Sequence, residues 1–109
     1  MPVVMQVNFM PGDFHARETE ADKCAVAEMI NALPGFAWKI WITDPATKMR
    51  GGIYLFEDLA AARGFGDGIL AEKLAEGGAR DVSIRYFEVE AGPSAINRAP
   101  LAVAALHAA

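Results

Sequence analysis

A single cysteine in 109 residues, Cys24, leaves no partner for an intramolecular disulfide. A reduced, cytoplasmic setting is therefore the default reading. Histidine is nearly as scarce. His15 and His107 lie far apart, and no cluster of Cys, His and carboxylate residues has metal-ligand spacing, so no metal site is expected. Basic charge is also in deficit: ten Lys and Arg stand against fourteen Asp and Glu, for a net charge of −4 and a pI near 5.0. Neither Lys48–Arg50 nor Arg80 with Arg85 makes a patch, which argues against nucleic acid and anionic membrane as partners. No apolar run approaches the roughly 20 residues that span a bilayer. The opening MPVVMQVNF lacks a basic n-region, and the closing APLAVAALHAA is too short for an anchor.

What is present is a globular composition, 53% hydrophobic and 22% charged, in a chain long enough for one core and one domain, residues 1–109. Residues 3–10, VVMQVNFM, alternate, with Val3, Met5, Val7 and Phe9 against a face that carries Gln6 and Asn8. That pattern predicts a strand, ended by Pro11-Gly12. From about Arg17 to Leu33 the period turns helical, with Cys24, Ala27, Ile30 and Leu33 as the apolar stripe and Pro34-Gly35 as the stop. FAWKIWIT (36–43) is aromatic and β-branched, and reads as the second strand. A polar turn, DPATKMR, leads into a third strand over 51–58. A second helix is expected over 59–76, kinked at GFGDG (64–68), because each interior glycine costs about 1 kcal/mol relative to alanine. DVSIRYFEV (81–89) is the fourth strand, and the tail from Gly92 packs as a short helix or frays.

The order β-α-β-β-α-β predicts an α+β, ferredoxin-like fold with two helices on one antiparallel sheet. On a strand, residues three apart point to opposite faces, so Trp38 and Trp41 separate: Trp38 with Phe36, Ile40 and Ile42, and Trp41 with Ala37, Lys39 and Thr43. Large apolar groups fall on both faces of the sheet, yet the helices cover only one. The economical cover for the other is a second copy of the chain, so a homodimer is expected.

The run PGFAWKIWITDPATKMRGGIYLFED, with SAINRAPL near the C-terminus, resembles the YdhR family of mono-oxygenases. The resemblance spans nearly the whole chain. It implies membership of the dimeric α/β-barrel superfamily, which also holds antibiotic-biosynthesis mono-oxygenases and IsdG-like haem-degrading enzymes. It further implies a pocket in each subunit, and chemistry that uses O₂ without metal, flavin or haem. The haem-degrading branch requires a histidine iron ligand in the second half of its fold, and this chain has no histidine between His15 and His107.

In that frame the expected substrate is a small aromatic molecule, phenolic or quinol-like. Trp41 is the candidate wall of a pocket or a dimer seam, with Lys39 beside it, whereas Trp38 sits in more apolar company as packing or a second wall. Phe56 and Phe87 complete the candidate substrate-binding set. Asn8 sits on the polar face of strand 1, and the antibiotic-biosynthesis enzymes of the resembled superfamily also use a strand-1 asparagine. It could hold a carbonyl or a developing oxyanion, or simply make a cross-strand amide contact. Tyr54 could orient a phenol or be core, and Arg85 could bind an enolate or form a salt bridge. His15 is a candidate base if its loop folds over the pocket. GFGDG lacks the spacing and placement of a dinucleotide-binding turn. Two other readings remain: a non-catalytic ligand-binding or assembly module, and a lactone isomerase with one strong base.

Overall fold

A computed structural model of the chain describes residues 1–101. Four strands, β1 (Val3–Met10), β2 (Phe36–Thr43), β3 (Arg50–Phe56) and β4 (Arg80–Glu88), form one sheet in the order β2-β3-β1-β4. Every neighbouring pair is antiparallel. This is the ferredoxin-like arrangement expected from the alternation of strand and helix periods. β1 and β3 occupy the two central places, and each shows strongly buried positions.

Register assigns the faces. Met5 lies opposite Tyr54 on one side and Tyr86 on the other, and Val7 lies opposite Gly52 and Ile84. These residues share the helix-covered face with Val3, Phe9 and Phe56. Val3, Met5, Val7, Phe9, Tyr54 and Phe56 are all buried, and Ile30, Ala62 and Leu74 join them from the helices. Asn8 lies opposite Gly51 and Ser83, so it belongs to the other face.

The expected company of Phe36 is corrected. The pairing of β2 with β3 slips one residue between Phe36 and Trp38, so Phe36 lies opposite Phe56 and is buried on the helix side. The extra residue, Ala37, makes a β-bulge that reverses the alternation for everything before it. Beyond the bulge the expected split holds: Lys39 and Trp41 sit opposite Tyr54 and Gly52, while Trp38, Ile40 and Ile42 take the other side.

The first helical region divides. A short turn, α1 (Asp13–Ala16), is followed by α2 (Glu20–Ile30). Thr19 starts α2, because its hydroxyl accepts the Asp22 N–H at 3.1 Å while its own N–H donates to the Asp22 carboxylate at 2.9 Å. Only the C-terminal end of α2 reaches the core, through Ile30 and the following Leu33. The expected stripe is therefore shorter than the sequence implied, and Cys24 is exposed.

The second region runs from α3 (Leu59–Gly64) through a π-helical turn (Phe65–Leu70) into α4 (Ala71–Glu76). The expected break falls there, with Gly68 at φ −104° and ψ −109°. Asp58 caps α3 by accepting the Ala61 N–H at 2.8 Å. Gly66 is buried because the turn lies directly on β1 and β4; a Cβ there would overlap the Tyr86 hydroxyl and approach the Met5 sulfur to 2.7 Å. Of the three glycines of GFGDG, Gly66 thus serves close helix-to-sheet packing, whereas a Cβ at Gly64 or Gly68 would meet nothing within 4 Å. A last helix, α5 (Ala91–Ile96), precedes the point where the Trp38 indole N–H donates to the Pro100 carbonyl oxygen at 2.9 Å. The remainder of the tail, 102–109, lies outside the described residues.

Candidate functional site

Because only one end of α2 packs down, a cavity of about 410 Å³ opens between this helix and the sheet. That size suits a small organic ligand. Its walls come from Val26 and Met29 of α2, Trp41 of β2, Tyr54 of β3, and Phe65 and Ile69 of the π turn. Met29 and Ile69 are 70% and 48% exposed, so apolar side chains line a mouth that faces water. Surface of that kind marks a binding site more often than plain surface does.

The polar groups of the cavity converge from three places. Lys39 reaches in from β2, with Nζ 3.5 Å from the centroid of the Trp41 ring and 4.6 Å from that of Tyr54. Gly52, directly across the ladder from Trp41, makes room for it: a Cβ at Gly52 would come within 2.6 Å of Lys39 Cε. Among the described residues no carboxylate pairs with Lys39. Burial lowers its pKa from 10.5 to about 7; the Arg50 guanidinium acts in the same direction, and Glu18 opposes both. At neutral pH a large share of Lys39 is the free amine.

Arg50, at the start of β3, forms a 3.1 Å ion pair with Glu18 and donates to the His15 carbonyl oxygen at 3.2 Å. Both partners of the ion pair are largely buried, with side chains 16% and 9% exposed. The pair ties the α1–α2 loop to the sheet at one end of the cavity. His15 lies between Phe9 and Phe14, its ring centroid 4.9 Å and 5.5 Å from theirs. Its Nδ1 accepts the Gly12 N–H at 3.3 Å. Burial lowers its pKa, Glu18 works against that, and Arg50 adds to it. The ring is thus held neutral, with Nδ1 occupied. Tyr54 is buried, which pushes its hydroxyl well above the usual phenol range and keeps it protonated.

Of the residues singled out from the sequence, Lys39, Trp41, Tyr54 and His15 meet at this cavity. Phe56 shares their face of the sheet but is wholly buried in the core and lines no part of the cavity. Asn8, Arg85, Phe87 and Trp38 belong to the opposite face. There Asn8 accepts from the Gln6 side-chain amide at 3.2 Å, and the Arg85 guanidinium stands 5.3 Å from the Phe87 ring. Sequence reasoning missed Arg50 and Glu18. For Arg50 a signal existed: it lies two and four residues before Gly52 and Tyr54, so starting the strand one residue earlier puts all three on one face. Glu18 carried no signal, because it reads as an ordinary acidic residue near a helix start. Among the described residues, no group of three or more His, Cys, Asp and Glu is placed to share a metal ion, and no helix is long and apolar enough to cross a membrane.

A four-stranded antiparallel sheet, crossed on one face by helices that enclose a ligand-sized cavity, defines a ferredoxin-like α+β protein with an internal pocket. Within that class the chain belongs to the family described as "Putative mono-oxygenase ydhR", which it matches over residues 4–100. Among solved structures it is similar to a "putative antibiotic biosynthesis monooxygenase" from Deinococcus radiodurans, at 14% sequence identity and a TM-score of 0.61, covering 80% of this chain and 91% of that one. At that identity the likeness bears on the fold alone. No curated protein matches the chain.

Proposed function

We propose that the protein is a mono-oxygenase that oxidises a small phenolic or quinol-like ring in the cavity under α2, without a metal or organic cofactor. The observation that carries this reading is a lysine amine with no carboxylate partner among the described residues, its pKa lowered by burial to about 7, set between two aromatic rings in an apolar, ligand-sized cavity. Lys39 takes the phenolic proton, and Trp41 and Tyr54 hold the ring beside it. An electron-rich phenolate is the form that can give electrons to O₂. Formation of a carbonyl at an unsubstituted ring carbon para to the hydroxyl balances as phenol plus O₂ to quinone plus water. One oxygen atom enters the ring, the other leaves as water, and the substrate supplies all four electrons.

Oxygen uptake with a panel of polycyclic phenols and quinols tests this. Uptake above autoxidation is expected to fall about 10-fold or more in Trp41→Ala and to change little in Asn8→Ala, which alters the opposite face. A fall in Asn8→Ala with no change in Trp41→Ala would move the site across the sheet. Binding of the same compounds without uptake would favour a ligand-binding module.

The chain is further proposed to act as a homodimer through the face that the helices leave open. Ile40 is 52% exposed there, beside Ile42 and across from Ile53, and Phe87, on the far edge strand opposite Val4, is 43% exposed. Light scattering at micromolar concentration is expected to give twice the 11.7 kDa chain mass; a monomer would overturn this part of the reading.

A further inference from the structure

We propose that Lys39 also captures carbonyl compounds: hydrophobic aldehydes and ketones that enter the cavity under α2 condense reversibly with its amine to form an imine. The chain has four lysines. Lys48 and Lys73 are exposed, and Lys73 forms an ion pair with Glu76 at 3.5 Å. Lys23 is half-buried on α2. Lys39 alone of the four opens on the cavity from the sheet, between two aromatic faces and with no carboxylate partner among the described residues. Val26, Met29 and Ile69 line the same cavity as Lys39 and offer apolar surface for the ring of an aromatic aldehyde.

The chemistry balances without a co-reactant. The amine lone pair forms a bond to the carbonyl carbon, and the carbonyl oxygen takes a proton. The resulting carbinolamine then loses water, which carries off the second N–H proton as C=N forms. Trp41 and Tyr54 would stabilise the protonated imine as they do the ammonium, through their ring faces. The charged and titratable groups around the site are Arg50, Glu18, His15 and Tyr54, with Lys73 and Glu76 at its rim. The first of these, together with burial, favours the uncharged nucleophilic amine.

The test is reductive trapping under nitrogen at pH 7, with 2-naphthaldehyde and cyanoborohydride, followed by peptide mapping. Without O₂, carbonyl capture stands or falls separately from oxygenation. Lys39 is expected to carry the adduct at least about 10-fold faster than Lys23, Lys48 or Lys73, the N-terminal amine being mapped separately. Gly52→Ala, which crowds Cε, is expected to slow labelling at Lys39 several-fold while leaving Lys48 unchanged. Equal labelling of all four lysines, or no adduct at Lys39, would overturn the proposal. Because the unaltered chain is the one mapped, either outcome is independent of whether any variant folds.

Discussion

Lys39→Met is expected to slow substrate-dependent oxygen uptake by about 100-fold or more, the lower end of what a positioned general base contributes. In the unaltered chain the rate should rise with pH through about 7, as the amine loses its proton. The variant should lack that inflection. The same substitution has an opposite effect on stability. The folded-state pKa of Lys39 lies below its unfolded value of 10.5. Between about 7 and 10.5 the unfolded chain therefore binds more protons, and stability rises with pH across that window. Below the window the fold carries the full penalty of a buried ammonium. Methionine removes that penalty, so urea titration at pH 6 should find Lys39→Met more stable by about 1–2 kcal/mol, a figure discounted for the water that still reaches the amine. At pH 10 the difference should largely vanish. A variant that gains stability and keeps full activity would show that Lys39 lines the cavity without taking the proton.

Phe56→Ala is expected to destabilise the protein by about 3–5 kcal/mol, the range for deleting a large buried ring. Phe56 is wholly buried, and its ring lies 5.8 Å from Phe36, 6.1 Å from Tyr54 and 6.4 Å from Phe65. It joins the bulged start of β2, the floor of the cavity and the π turn into one cluster. Phe56→Leu, which keeps most of the volume, should lose far less stability and retain the oxygen-uptake rate. Thermal unfolding and uptake measured on the same preparations separate the two possibilities. A stable Leu variant with lost activity would mean that the ring contacts substrate.

These two residues show which parts of the molecule were legible beforehand. Strand β1 announced itself because Val3, Met5, Val7 and Phe9 alternate with less buried neighbours, and period two has no other structural meaning over that length. The separation of Trp38 from Trp41 followed from the same rule. Helix α2 was only partly legible. Its stop at Pro34-Gly35 was plain, but its start depended on a capping box at Thr19 and Asp22, and its apolar stripe looked continuous although only the C-terminal end packs. Phe36 misled for a local reason: one bulged residue reverses the parity of everything before it, and nothing in FAWKIWIT marks Ala37 as the bulge.

The site was harder to read than the fold. Lys39 could be placed beside Trp41 by alternation. That it lies over that ring and against Tyr54, in the space left by Gly52, depends on β2 pairing with β3 in one particular register. Asn8, Arg85 and Phe87 looked as chemically promising as Tyr54, and the sheet separates them from it.

By itself, the sequence determined the kinds and order of elements, the two-sided character of the sheet and the division of the tryptophans, because each of these follows from periodicity within a single segment. Only the tertiary structure decided which face the helices cover, and hence which set of candidates shares a cavity. A strand's alternation is indifferent to which side is called inside. The choice is made by the hand of the two crossovers, β1 to β2 and β3 to β4, which carry both helical regions to the face of Met5, Tyr54 and Lys39.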